Sequence, residues 1–153
     1  MAGQLKAIDT WYNNSYFRSR GEAFWAMFFV NLGIEYVYEM EGYNLNGLYY
    51  LPDMFLPAYN AYIEIKPKYL YNKLIKEQAT DPAINKIHKL HQTSKKLCSI
   101  VYGTPADYVS LTYYKGKQYT RNNSIAYIDL GSVTVVRNAA IKTMKHRFDH
   151  KSK

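Results

Sequence analysis

A single cysteine, Cys98, serves the 153-residue chain. One thiol forms no internal disulfide, which excludes a cystine-stapled fold and points to a reducing compartment. The cytoplasm is therefore the expected location. No stretch reaches the roughly 18 apolar residues a membrane helix needs. The best candidate, residues 23–34, is too short and contains Asn31, and no cleavable leader is expected before it. A glycine-rich phosphate loop is missing, which argues against an ATPase. Acids are scarce: 12 Asp and Glu face 20 Lys and Arg, a net charge of +8. Internal repeats, low-complexity tracts and long linkers are also missing, so one domain is expected over 1–153.

What is present is apolar bulk and tyrosine. Hydrophobic residues make up 48%, enough for a packed core, and 17 residues are Tyr. A basic, tyrosine-rich domain suits an anionic polymer, most simply nucleic acid. Residues 115–153 hold nine Lys and Arg against Asp129 and Asp149 alone, giving +7 of the chain's +8. Arg121, Arg137, Lys142 and Lys145 are the expected phosphate contacts there, with Arg18 and Arg20 as a second group. A merely solvated basic terminus is the competing reading. Tyr49, Tyr50, Tyr59, Tyr62, Tyr69 and Tyr71 suit stacking on unpaired bases, or core packing.

Hydrophobic spacing gives the elements. Phe17, Phe24, Phe28 and Leu32 recur at helical period, so a buried helix is expected over about residues 18–32, stopped by Gly33. Asp9 and Thr10 read as caps of a short opening turn, and Ser15 or Ser19 as the start of the helix. Strands are expected at 35–40, 48–56 and 61–66, the last two joined tightly through Pro57 and Asn60. Residues 70–97 read as helical with a break at Thr80-Asp81-Pro82. Further strands are expected at 98–102, 108–114 and 124–130, with Lys115 to Asn123 a polar connection. Residues 133–136 read as another strand and 138–151 as a basic helix, residues 106–153 forming an extension of extra strands and helix. The class is α/β, a mixed sheet flanked by helices.

The chemistry concentrates between Phe17 and Lys66. In Glu64-Ile65-Lys66, strand alternation puts Glu64 and Lys66 on one face and Ile65 on the other. A hairpin closed at 57–60 sets Asp53 opposite Glu64, where paired Cβ atoms lie roughly 5 Å apart. Two carboxylates that close repel unless a cation lies between them, which suits a hard divalent metal. Lys66 adds an ammonium that can orient and polarise a water. Glu22 adds a third acid from an otherwise apolar helix face. The same pattern also arises from a turn aspartate beside an exposed ion pair.

Four segments together resemble the PD-(D/E)xK nuclease superfamily: Phe17-Arg18-Ser19-Arg20-Gly21-Glu22-Ala23, Leu32-Gly33-Ile34-Glu35-Tyr36-Val37-Tyr38-Glu39, Tyr50-Leu51-Pro52-Asp53-Met54-Phe55-Leu56-Pro57 and Ile63-Glu64-Ile65-Lys66. The order and spacing are similar to uncharacterised phage and bacterial members and to junction-resolving enzymes of the phage endonuclease I type. A weaker echo lies at Ile100-Val101-Tyr102-Gly103-Thr104-Pro105. The resemblance implies a restriction-endonuclease-like sheet, Mg²⁺- or Mn²⁺-dependent cleavage of DNA phosphodiesters, and a phage or mobile-element origin, the cytoplasm then being that of the host cell. It implies Asp53 and Glu64 as metal ligands, Glu22 as a further acid on the metal or its waters, and Lys66 as the catalytic lysine. A homodimer gripping both strands is expected. Pro67 departs from the glycine that many relatives carry after the lysine. Two alternatives stand beside this expectation: a catalytically silent nucleic-acid-binding module on the same fold, and a nuclease specialised for branched DNA.

His88-x-x-His91 and His146-x-x-x-His150 have metal-compatible spacing but no third ligand nearby, so half-buried or surface histidines are expected. The nuclease resemblance also implies an assisting Gln or Lys on the helix after Lys66, for which Gln92, Lys95 and Lys96 are the candidates. Cys98 is expected to pack rather than react.

Overall fold

The computed structural model describes residues 9–147. In chain order the elements are β1 (Thr10–Tyr12), β2 (Ser15–Phe17), α1 (Arg20–Leu32), β3 (Val37–Tyr38), β4 (Tyr43–Leu45), β5 (Leu48–Tyr50) and β6 (Met54–Leu56). After a 3-10 turn at Pro57–Tyr59 come β7 (Ala61–Lys66), α2 (Lys68–Glu77), α3 (Pro82–Ser94), β8 (Leu97–Thr104), β9 (Asp107–Tyr114), β10 (Lys117–Asn122) and α4 (Val133–Met144). Six strands form one sheet in the order β10-β9-β8-β7-β6-β3. Only β7 and β8 run parallel, and α2 with α3 supplies the crossover such a step requires. The result is the expected mixed sheet flanked by helices in a single domain.

Alternation along β7 divides the core. Ala61, Ile63 and Ile65 pack with Val101 against Phe17, Trp25, Phe28 and Phe29 on the α1 side. Tyr62, Ile100 and Tyr102 face the other way, against Ala83, Ile87 and Leu90 of α3. Glu64 and Lys66 therefore share the α3 side with Tyr62, as the alternation predicts. Ser19 caps α1 by accepting the Glu22 N–H at 3.0 Å, and Gly33 ends it with φ 72°. Trp25 anchors α1 to the sheet, its indole N–H donating to the Gly103 carbonyl at 2.9 Å. Gly103 has φ 129°, and a Cβ there would collide with the Asp107 backbone, so only glycine fits this approach. At the far end of α1, Asn31 donates to Thr143 and ties α4 alongside.

Several sequence-based boundaries are corrected. The opening segment is the β1–β2 hairpin rather than a capped turn. The expected strand 35–40 shrinks to β3, because Glu39 takes a left-handed φ of 49° and donates its N–H to the Asp53 carbonyl. The expected strand 48–56 is two strands. Its first part pairs with β4 around Asn46-Gly47, and Pro52, lacking an N–H, lies in the gap before β6. The polar connection 115–123 contains β10, an edge strand whose charged residues read as loop. The expected strand 124–130 is turns with one isolated bridge, Ile125 to Ile128. Residues 133–136 open α4, with Ser132 as N-cap accepting from Val135, so β-branched side chains there misread as strand. The break at Thr80-Asp81-Pro82 is where expected, Asp81 capping α3 and Pro82 starting it. The last residues of the expected basic helix, including Lys151, lie outside the described residues, as does His150.

Candidate active site

Asp53 immediately precedes β6, and the β6–β7 register, Met54 opposite Ile63, carries on to set it opposite Glu64. Side chains lock that arrangement from both strands. The Ile65 N–H donates to Asp53 Oδ2 at 2.8 Å, and the Asp53 N–H donates to Glu64 Oε1 at 3.3 Å. Tyr50 Oη also donates to Glu64 Oε1, at 2.7 Å. Lys66 Nζ lies 3.6 Å from Glu64 Oε2. Asp53 and Glu64 are 6% and 7% exposed, so the hairpin buries two carboxylates against each other.

Burial raises the Asp53 carboxyl well above its ordinary range, and the charges of Glu64 and Glu22 push it further. The Ile65 amide and Lys66 oppose that rise without reversing it. Glu64 is raised too, again first by burial, but the Tyr50 hydroxyl and Lys66 pull against the shift. Desolvation therefore outweighs the hydrogen bonds at both sites, and a second negative charge is costly here. Burial and then Glu64 push the Tyr50 hydroxyl far up, so Tyr50 remains a proton donor to Glu64.

Glu22 approaches from α1. A glutamate three residues after a serine cap ordinarily returns to the cap amide. Its Oε1 instead accepts from Tyr38 Oη at 2.5 Å, and Tyr38 in turn accepts the Arg18 N–H at 3.3 Å. Burial and the Glu22 hydrogen bond push the Tyr38 hydroxyl up to about 12. Arg18 pairs with Glu39. Among the described residues no three His, Cys, Asp or Glu side chains come together closely enough to hold a metal. Glu22 thus stays behind the Asp53–Glu64 pair rather than completing a three-ligand cage. The pair itself fits a hard cation: Asp53 uses Oδ2 and Glu64 uses Oε1 for fixed hydrogen bonds, which leaves Asp53 Oδ1 and, shared with Lys66, Glu64 Oε2 as ligand atoms. Mg²⁺ suits such a set, since it keeps several waters and takes one or two carboxylates with substrate phosphate.

The other expected residues are dispersed. Arg20 lines a cleft of about 650 Å³ that none of the three carboxylates lines but that Lys66, 3.6 Å from Glu64, also walls. Arg121 is on β10, its guanidinium 5.6 Å from the Tyr119 ring centre. Arg137, Lys142 and Lys145 are exposed on or just after α4. None of these five pairs with the carboxylates. Gln92, Lys95 and Lys96 are misplaced for assistance: they precede β8, whose first residue pairs with Ala61, whereas Lys66 pairs with Tyr102 at the other end. His91 is structural, contacting the Lys96 carbonyl at 2.6 Å through Nδ1 and accepting the Gly116 N–H at 3.0 Å through Nε2. His88 stacks on Tyr113 at 4.5 Å. Cys98 is buried, which pushes its thiol up to about 12 and suits packing. The sequence reading missed Tyr50 and Tyr38 as partners of the acids. The signal for Tyr50 was its place three residues before Asp53, hidden by the abundance of tyrosine, while Tyr38 meets Glu22 from sixteen residues away and left no local signal.

The chain matches no family model, no curated protein and no solved structure.

Proposed function

We propose that this chain is a metal-dependent endonuclease acting on DNA, of the PD-(D/E)xK kind that its first half resembles. The observation that carries the reading is the Asp53–Glu64 pair, buried face to face with Lys66 3.6 Å from Glu64. Two carboxylates held together at a cost, beside an ammonium, are explained by a divalent cation better than by stability. Asp53 and Glu64 would hold Mg²⁺ or Mn²⁺, with Glu22 hydrogen-bonding its waters. When bound, the ion supplies a Lewis acid on the phosphate and lowers the pKa of a coordinated water.

The residues do the rest. The Ile65 amide fixes Asp53, and Tyr50 fixes Glu64, so neither carboxylate reorganises when substrate arrives. Lys66 donates a hydrogen bond to the attacking water and orients it in line with the scissile ester. The water oxygen forms the new bond to phosphorus and gives one proton to solvent as the ester P–O bond breaks, and the departing oxygen takes up a proton from solvent. A homodimer would present one such centre to each strand.

A catalytically silent nucleic-acid-binding module is the second reading, favoured by the lack, among the described residues, of a third metal ligand within reach. Incubating the pure protein with linear duplex, single-stranded and four-way-junction DNA, with and without Mg²⁺, separates the two. Cleavage that requires Mg²⁺ or Mn²⁺, with Ca²⁺ bound but inactive, is the expected result. Binding without cleavage of any of the three would leave only the module. Cleavage restricted to the junction would assign the chain to branched DNA.

A further inference from the structure

The cleft of about 650 Å³ beside Lys66 has two kinds of wall. Arg20, Lys66 and Lys68 bring three cations, of which Lys68 is spoken for by Asp107 at 2.9 Å. Arg20 is not: its Nε is buried and has no hydrogen-bond partner among the described residues. The Nε is closed to solvent and so to a ligand, but the rest of the half-buried guanidinium carries its charge to the cleft wall, where an anionic ligand would offset it. The remaining walls include Phe24, Ile65, Pro67, Tyr69 and Leu70, which no phosphate would contact. Tyr69 is 41% exposed and stacks on no other ring among the described residues.

A duplex presents phosphates outward and keeps its bases stacked inside, so it would satisfy the cations and leave the apolar wall bare. An unpaired nucleotide satisfies both. We infer that this cleft takes one unpaired nucleotide of the substrate strand, its base on Tyr69 and its phosphate at Arg20, next to the scissile bond. The volume lies inside the roughly 300–1,000 Å³ range of small-ligand clefts. Stacking tolerates any base, so the preference is for unpaired structure rather than for sequence. The inference deepens the nuclease reading and rests on it. The catalytic carboxylates would then act on frayed, gapped or branched DNA in preference to intact duplex.

Binding without a divalent ion tests this separately from cleavage. Fluorescence anisotropy in EDTA compares a single-stranded oligonucleotide with its own duplex, for wild type, Tyr69→Ala and Tyr69→Trp. The single strand is expected to bind at least about tenfold tighter than the duplex, and Tyr69→Ala to lose about 5–100-fold on the single strand only. Tyr69→Trp is expected to keep the wild-type affinity, which separates loss of the ring from damage to the fold. Equal affinity for the two forms, or a Tyr69→Ala loss shared equally by both, overturns the inference. Mg²⁺-dependent cutting of duplex with that same equality would leave the nuclease reading standing alone. Selective single-strand binding with no cleavage in Mg²⁺ would keep the cleft and remove the nuclease.

Discussion

The described basic residues of the last third, Lys115, Lys117, Arg121, Arg137, Lys142, Lys145 and Arg147, all stand exposed on β10, α4 and their flanks. Glu22, Asp53 and Glu64, by contrast, are each less than a tenth exposed. Residues 115–153 sum to +7, their described bases all facing water, while residues 1–114 sum to +1 and bury four acids, Glu22, Asp53 and Glu64 near one another and Asp81 as the cap of α3. Exposed charge acts at long range and contributes little to stability. Buried like charge destabilises the fold and persists where a ligand or a reaction uses it. On the proposed function the two regions would serve different tasks, attraction of a polyanion and chemistry upon it.

Removing the buried set should have the largest effect. Lys66→Ala is expected to slow cleavage about 10²–10⁴-fold, the range for a positioned proton-handling group. DNA affinity measured in EDTA should stay near wild type, because the loss falls on the transition state. Wild-type rates in this variant would remove Lys66 from the mechanism.

The next effect is on stability and has the opposite sign from most core substitutions. With its carboxyl held above the ordinary range, Asp53 binds more protons folded than unfolded. Stability of the metal-free protein should therefore fall as pH rises from the ordinary carboxyl range through the folded value. Asp53→Asn keeps an oxygen for the Ile65 N–H and removes the charge, so it is expected to add about 1–3 kcal/mol at neutral pH and flatten that slope. Urea denaturation of both proteins across acidic to neutral pH checks it. A less stable Asp53→Asn protein would mean the carboxylate is better compensated than its surroundings indicate.

A smaller effect sharpens the other half of the comparison. Replacing Arg137, Lys142 and Lys145 together should lower the slope of log affinity against log salt by up to about 2.7 on duplex DNA, at roughly 0.9 per phosphate contact. Metal affinity at Asp53 and Glu64 should not change. An unaltered slope would move the phosphate contacts to Arg18, Arg20 and the residues of α2.

How much of this was legible in the sequence follows the same division. The Asp53–Glu64 register could be counted out from Pro57 and Asn60 because a short hairpin leaves little freedom in pairing. The faces of Ile65 and Lys66 followed from strand alternation, and Gly33 from its place after an apolar stripe. The C-terminal elements were not legible in that way. Lys117, Gln118 and Arg121 look like loop although they form an edge strand, where charge is tolerated because one side faces water. Val133, Val135 and Val136 favour strand locally, but Ser132 caps a helix that packs Ala139 and Ala140 against α1. Glu22 was recognisable as an odd acid on an apolar face. Its attachment to Tyr38 depends on β3 reaching α1, which no local pattern encodes.

The facing of Asp53 and Glu64 around a cation is tested most directly by a crystal soaked in Mn²⁺, with anomalous data collected at the manganese edge. An anomalous peak within coordinating distance of a carboxylate oxygen from each of Asp53 and Glu64, and absent from a Glu64→Gln crystal treated identically, is the expected result. Manganese bound elsewhere on the protein, with no peak between those two side chains, would contradict it.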